Sequence, residues 1–160
     1  MLRQLAEDLI QLLESDSPAA PVDPLEALVG MSLTSTPRPA DPVLARLLPD
    51  GYTDDDQAAA DFRRYTEHEL RSVKRSGLRA VATALGRDGG KIVLDEATAE
   101  VWLTAINDLR LALGTRLEVT EDLYDKLGRL PPDDPRLPGL AVYEWLGGLE
   151  ESLVQALAGG

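Results

Sequence analysis

The sequence predicts an all-α fold: an irregular helical bundle of three long helices plus several short ones. Three observations predict it. Apolar residues recur at three- and four-residue spacing over windows near 55–85, 96–115 and 136–157. Asp or Thr followed by Pro or by acidic residues marks where helices would start. Only Lys91-Ile92-Val93-Leu94 has β character, and no second strong strand offers it a partner. A length of 160 residues with 44% hydrophobic and 28% charged content fits one domain spanning 1–160.

Taken in order, Leu2, Leu5, Leu9, Leu12 and Leu13 outline an amphipathic helix over 2–14, ending before Ser17-Pro18. Asp23-Pro24 reads as a cap followed by Pro at the first helical position, with Gly30 as a stop, giving a short helix at 24–29. Asp41-Pro42 repeats the signal, and Pro49 closes a second short helix. Residues 15–53 form a proline-rich wrapping segment holding Pro18, Pro21, Pro24, Pro37, Pro39, Pro42 and Pro49. Asp54, Asp55 and Asp56 crowd the start of the first long helix, where carboxylates suit the positive end of the macrodipole. Its expected apolar face runs Ala58, Ala59, Phe62, Thr66, Leu70, Val73, Gly77, Val81 and Leu85, with Gly77 as a bend or a close-packing point. Residues 91–94 would stay extended over a helix or pair with another copy.

Asp95 caps the best-defined helix, 96–115, centred on Trp102, Ile106, Leu109 and Leu113 and stopped by Gly114. Thr120 caps a short helix through Leu127, and Pro131 to Pro135 form a stiff connector. The last helix uses Leu140, Val142, Leu146, Leu149, Leu153 and Leu157. Gly147-Gly148 inside it costs about 2 kcal/mol relative to two alanines, which predicts a kink or a closely packed neighbour.

Composition removes several function classes. There is no cysteine, so disulfides and thiolate chemistry are excluded within these residues. His68 is the one histidine, so no zinc-ligand set exists, and no cofactor is implied. No apolar run approaches the ~20 residues needed to cross a bilayer. The N-terminus lacks signal-peptide character, and the expected compartment is cytoplasmic. Asp50, Asp54 and Asp56 fail the calcium-loop pattern, because Tyr52 and Asp61 occupy its third and twelfth positions. Gly89-Gly90 lacks the Lys-Ser/Thr that a phosphate loop needs.

Charge carries the strongest functional signal. Residues 62–94 hold eight Lys/Arg against three acidic residues, a local net of +5, so the rest of a −12 chain carries −17. Arg64, His68, Arg71, Arg75 and Arg79 follow i, i+4, i+7, i+11 and i+15, which places them on one helix face. That stripe suits an acidic protein surface, a second subunit's acidic segment, or the chain's own acidic segments. Its plainer reading is a solvated face partly neutralised by the i,i+4 pair Glu67–Arg71. A sequence pI near 4.4 disfavours nucleic acid. On the docking reading, Arg71→Glu with Arg75→Glu would leave stability within about 1 kcal/mol while abolishing partner capture.

A second anomaly lies beside the apolar face of the 96–115 helix. Asp108, Arg110 and Arg116, with Glu144 from the last helix, suggest a buried polar cluster. A buried Arg needs an anionic or carbonyl partner, and Asp108, Glu144, Glu151 and Glu69 are in range by pattern. The cluster either fixes helix register or grips a carboxylate or phosphate ligand through Arg110 and Arg116.

Several segments together resemble a known family. They are Asp61 to Arg71 (DFRRYTEHELR), Asn107 to Leu117 (NDLRLALGTRL), Leu130 to Pro135 (LPPDDP), Val142 to Leu146 (VYEWL), and Glu151 to Val154 (ESLV). They resemble the actinobacterial domain of unknown function 2017 family over essentially the whole chain. The resemblance implies a small, mostly helical protein of unassigned biochemistry. Such proteins are often encoded near a ClpS-type protease adaptor, and some carry a transcription-regulator label. Family members tend to have a basic β-like segment ahead of the first helix, whereas Met1 here stands almost at that helix. Gly147-Gly148 also replaces bulkier residues. The expected function is a non-enzymatic interaction or regulatory module, linked by neighbourhood to protein turnover. The alternatives are an anionic-ligand-binding protein or enzyme built on the Arg/Asp cluster, and a transcription regulator.

Overall fold

A computed structural model describes residues 1–15, 38–52, 55–86, 91–122 and 130–159. Among them are five α-helices and no strand: α1 (Leu2–Ser15), α2 (Pro42–Leu47), α3 (Asp56–Ala84), α4 (Glu96–Arg116) and α5 (Leu137–Ala158). The fold is all-α. The expected helix at 24–29 lies outside the described residues. Of the one expected at 121–127, Glu121 and Asp122 are helical and 123–129 lie outside them.

Aspartates start three of the helices. Asp41 accepts the N–H groups of Val43 and Leu44, Asp55 those of Gln57 and Ala58, and Asp95 that of Thr98. At the far end of α4 the helix continues past Gly114 to Arg116. It closes when Glu118 donates its N–H to Thr115 and Val119 donates to Gly114, at 3.3 and 2.9 Å. Glu118 takes φ 54° to do so, a conformation that usually falls to glycine. Glu118→Gly should therefore raise stability by about 1 kcal/mol, read as a shifted urea midpoint.

The core is built around α4, which touches each of the other four helices. Its burial explains this: Ala99, Trp102, Ala105, Ile106 and Leu109 are buried, and Leu111, Ala112 and Leu113 pack beside them. α1 contributes Leu2, Ala6, Leu9 and Leu13, and α2 contributes Val43, Leu44 and Leu47. α5 supplies Leu140 and Leu146. It runs unbroken through Gly147 and Gly148 rather than breaking there. Gly77 is a packing point: an added Cβ would lie 3.7 Å from Ala105 Cβ and from Val101. Residues 91–94 are not a strand; Ile92 and Leu94 pack on the core while Val93 points out.

The long helix α3 keeps part of its expected face, with Ala59 and Val81 buried and Leu70 and Leu85 packed on the core, but its inward arc is shifted. Ala59, Ala60, Arg63, Glu67, Arg71, Leu78 and Val81 are buried, whereas Phe62 and Val73 are exposed. The reason is that α3 lies between α1 and α4 and must face both. Its N-terminal half offers only small apolar residues inward. The remaining inward positions are filled by charged groups that find partners there.

Candidate functional site

The five stripe residues do not form one solvent-facing surface. Arg71 is only 2% exposed. Its Nε and Nη2 lie 2.8 and 2.7 Å from Glu67 Oε1, and its Nη1 donates to the Leu13 carbonyl at 3.1 Å. Leu13 sits in the last turn of α1, where carbonyls lack helical partners and favour a cation. No basic residue of α1 itself stands there. Arg79 reaches the same helix end and pairs with Glu14 at 2.6 Å. Arg75 is half-buried, and its Nε is sealed from solvent without a hydrogen-bond partner. His68 is exposed, and the side chain of Arg64 lies outside the described ones. The first helix thus takes up both arginines, Arg71 through the Leu13 carbonyl and Arg79 through the Glu14 carboxylate, while the anion paired with Arg71 is Glu67 of α3 itself. The solvated-face reading of Glu67–Arg71 is corrected accordingly: the pair is among the most buried in the molecule.

The expected Arg/Asp cluster separates into three ion pairs. Asp108, buried on α4, is met by Lys74 Nζ of α3 at 2.7 Å. Burial pushes the Asp108 carboxyl above its ordinary range, and the Lys74 ammonium only partly opposes this. Its Oδ2 is buried without a hydrogen-bond partner. Arg110 donates to Glu150 at 3.1 Å, with its guanidinium 5.0 Å from the ring centroid of Tyr143. Arg116 is half exposed and donates to Asp41 at 2.6 Å. Burial acts to raise the Asp41 carboxyl. The Arg116 hydrogen bond and the Val43 and Leu44 amides outweigh it and hold the carboxyl below the usual range. Glu144 is exposed on α5 and joins none of these. The Arg116 partner comes from the wrapping segment rather than from α4 or α5. A shared pocket of Asp108, Arg110, Arg116 and Glu144 is therefore not formed.

Lys74 escaped the sequence reading although its position was informative. It falls between Leu70 and Gly77-Leu78 on the inward arc of α3, where a lysine demands a carboxylate. Arg63 pairs with Asp50, a contact between elements that no spacing announces.

Two surface features among the described residues carry charge. A polar cleft of about 700 Å³ lies between the 42–52 segment and α3, with Arg38, Arg46, Arg63, Asp50, Asp56 and Tyr52 on its walls. Its mixed charge favours neither cation nor anion. A notch of about 600 Å³ runs along α5 beside Gly147 and Gly148, bounded by Tyr143, Glu144, Glu150, Glu151 and Val154 and, from α4, by Arg110. α5 carries Glu144, Glu150 and Glu151 and no Lys or Arg. Trp145, one turn before Gly148 on α5, is 45% exposed. Among the described residues, no three His, Cys, Asp or Glu side chains converge as a metal cage would, and no helix is long and apolar enough to cross a membrane.

Comparison with known proteins adds the family context. The profile of the family described as "Domain of unknown function (DUF2017)" matches residues 1–157. A Mycobacterium leprae protein named "Putative oxidative stress regulator AosR" is 38% identical over 170 residues, covering 98% of this chain and 77% of that protein. The Mycobacterium tuberculosis (strain H37Rv) protein named "Oxidative stress regulator AosR" is 37% identical over 172 residues, covering 99% and 78%. No solved structure matches.

Proposed function

The chain belongs to the domain of unknown function 2017 family, and from that premise we propose that it is a non-enzymatic regulator acting by binding another protein. The observation that carries this reading is its 37–38% identity, over nearly its whole length, to proteins named as regulators. Charge supports a protein target over nucleic acid. Arg71 and Arg79 are taken up by α1, while α5 presents carboxylates outward. A phosphate backbone would be repelled by that surface. The separated ion pairs likewise disfavour the anionic-ligand reading, because Arg110 and Arg116 do not converge. These 160 residues contain no thiol, so any thiol-borne oxidant signal reaches them through a partner.

The test is affinity purification of the full chain from its native host, with and without a peroxide challenge, followed by mass spectrometry. We expect one protein recovered in near-stoichiometric amount, with occupancy that changes under peroxide. Recovery of a specific DNA duplex without a protein partner, or of nothing above background, would overturn the reading.

A further inference from the structure

We propose that the outward face of α5, around Trp145 and Gly148, docks an amphipathic helix with Lys or Arg along its rim, carried by a protein partner. This deepens the regulatory reading above and rests on it. Two independent observations support it.

The first is a glycine pair that this chain's own packing does not require. At Gly139, an added Cβ would lie 2.9 Å from Leu117 Cδ2, so the fold itself explains that glycine. At Gly147 a Cβ would make only ordinary contact, 3.5 Å from Arg110 Nε, and at Gly148 it would meet nothing within 4 Å. Glycines inside a helix weaken it. Here they leave room on the outside, so that a second backbone can approach α5 closely.

The second is charge. Glu144 and Glu151 stand one turn before and one turn after Gly148, and no Lys or Arg occurs anywhere on α5. Arg110 of α4 also lines this notch, but it is taken up by Glu150 and the Tyr143 ring, so Glu144 and Glu151 present the outward charge. A second copy of α5 laid on this face would oppose carboxylate to carboxylate. Anionic lipid and nucleic acid meet the same repulsion. A helix with an apolar stripe and a basic rim fits both features: its stripe covers the exposed Trp145 ring, and its cations meet Glu144 and Glu151.

The experiment places a photo-cross-linking amino acid at position 145 of the full chain in its native host, with position 52, exposed against Phe62 of α3, as a control. We expect position 145 to cross-link a protein segment whose apolar residues follow helical spacing with Lys or Arg beside them. Glu144→Lys with Glu151→Lys should cut the yield at least tenfold. Gly148→Leu should do the same without lowering the melting temperature, because nothing in the chain occupies that space. Cross-links to a second copy, to nucleic acid or to lipid would overturn the proposal. So would a segment without basic flanks, or yields indifferent to these substitutions. Protein cross-links at position 52 with none at 145 would sink this surface and leave the protein-binding role standing. Silence at both positions would sink both.

Discussion

Arg71→Glu is expected to destabilise the protein by about 5 kcal/mol, enough to leave a chain of ordinary stability largely unfolded at 37 °C. The substitution does three things at one sealed point. It removes the guanidinium that pairs with the buried Glu67 carboxylate. It leaves the Leu13 carbonyl at the end of α1 without its donor. It also sets a second carboxylate one turn from Glu67, with little water to screen the repulsion. Breaking a buried pair from one side costs about 3–5 kcal/mol in general, and like charge adds to that. Circular dichroism melts and urea titrations would read it. Arg79→Glu serves as the control. Arg79 and Glu14 are exposed enough that their pair is worth about 0–1 kcal/mol, and the loss should stay in that range. Arg71→Lys keeps the charge but not the forked geometry, and should fall between the two. If Arg71→Glu shifted stability by less than about 1 kcal/mol, the buried assignment would be wrong.

Lys74→Ala is the second large effect, expected near 3 kcal/mol at neutral pH, because it strands Asp108 in the interior. The pH dependence has a definite sign. The native carboxyl of Asp108 already titrates above its ordinary value. The folded state then holds more protons than the unfolded one between those two values, and stability falls as pH rises through that window. Above it the penalty is constant. Without Lys74 the native value moves further up, so the penalty grows at neutral pH and is relieved by acid. The difference between the wild-type protein and Lys74→Ala should therefore shrink from pH 7 toward the ordinary carboxylate range. Asp41 has the opposite sign, since its native value is lowered and its contribution is lost on acidification. It is common to both proteins and cancels in the difference. Replacing both partners, Lys74→Met with Asp108→Leu, should recover most of the loss, as an apolar pair of similar size needs no desolvated charge.

The helices were legible because their signals are local. Asp41, Asp55 and Asp95 start helices by accepting amides two or three residues away, and sequence spacing displays that directly. The shift in α3 was not legible. Its inward arc depends on where α1 and α4 settle, and Arg63, Glu67 and Arg71 look like surface residues until those neighbours are in place. The polar cluster was half legible. Asp108 is buried as its position implied, whereas Arg110 is about a third exposed, and their partners, Lys74 and Glu150, sit 34 and 40 residues away. Pattern alone favoured nearer or more conspicuous carboxylates. Gly147 and Gly148 stood out in the sequence as a kink or a close-packing point, yet the helix runs unbroken through them and a Cβ at Gly148 would meet nothing within 4 Å.

α2 and α5 differ from the other helices in how they are attached. α1 rests on both α3 and α4, and α3 on both α1 and α4, whereas α2 and α5 each pack substantially on α4 alone, α5 along the most extensive helix–helix seam among the described residues. All four neighbours are thus tied to one central rod, so a substitution that loosens α4 at Trp102 or Ile106 is transmitted to every layer at once.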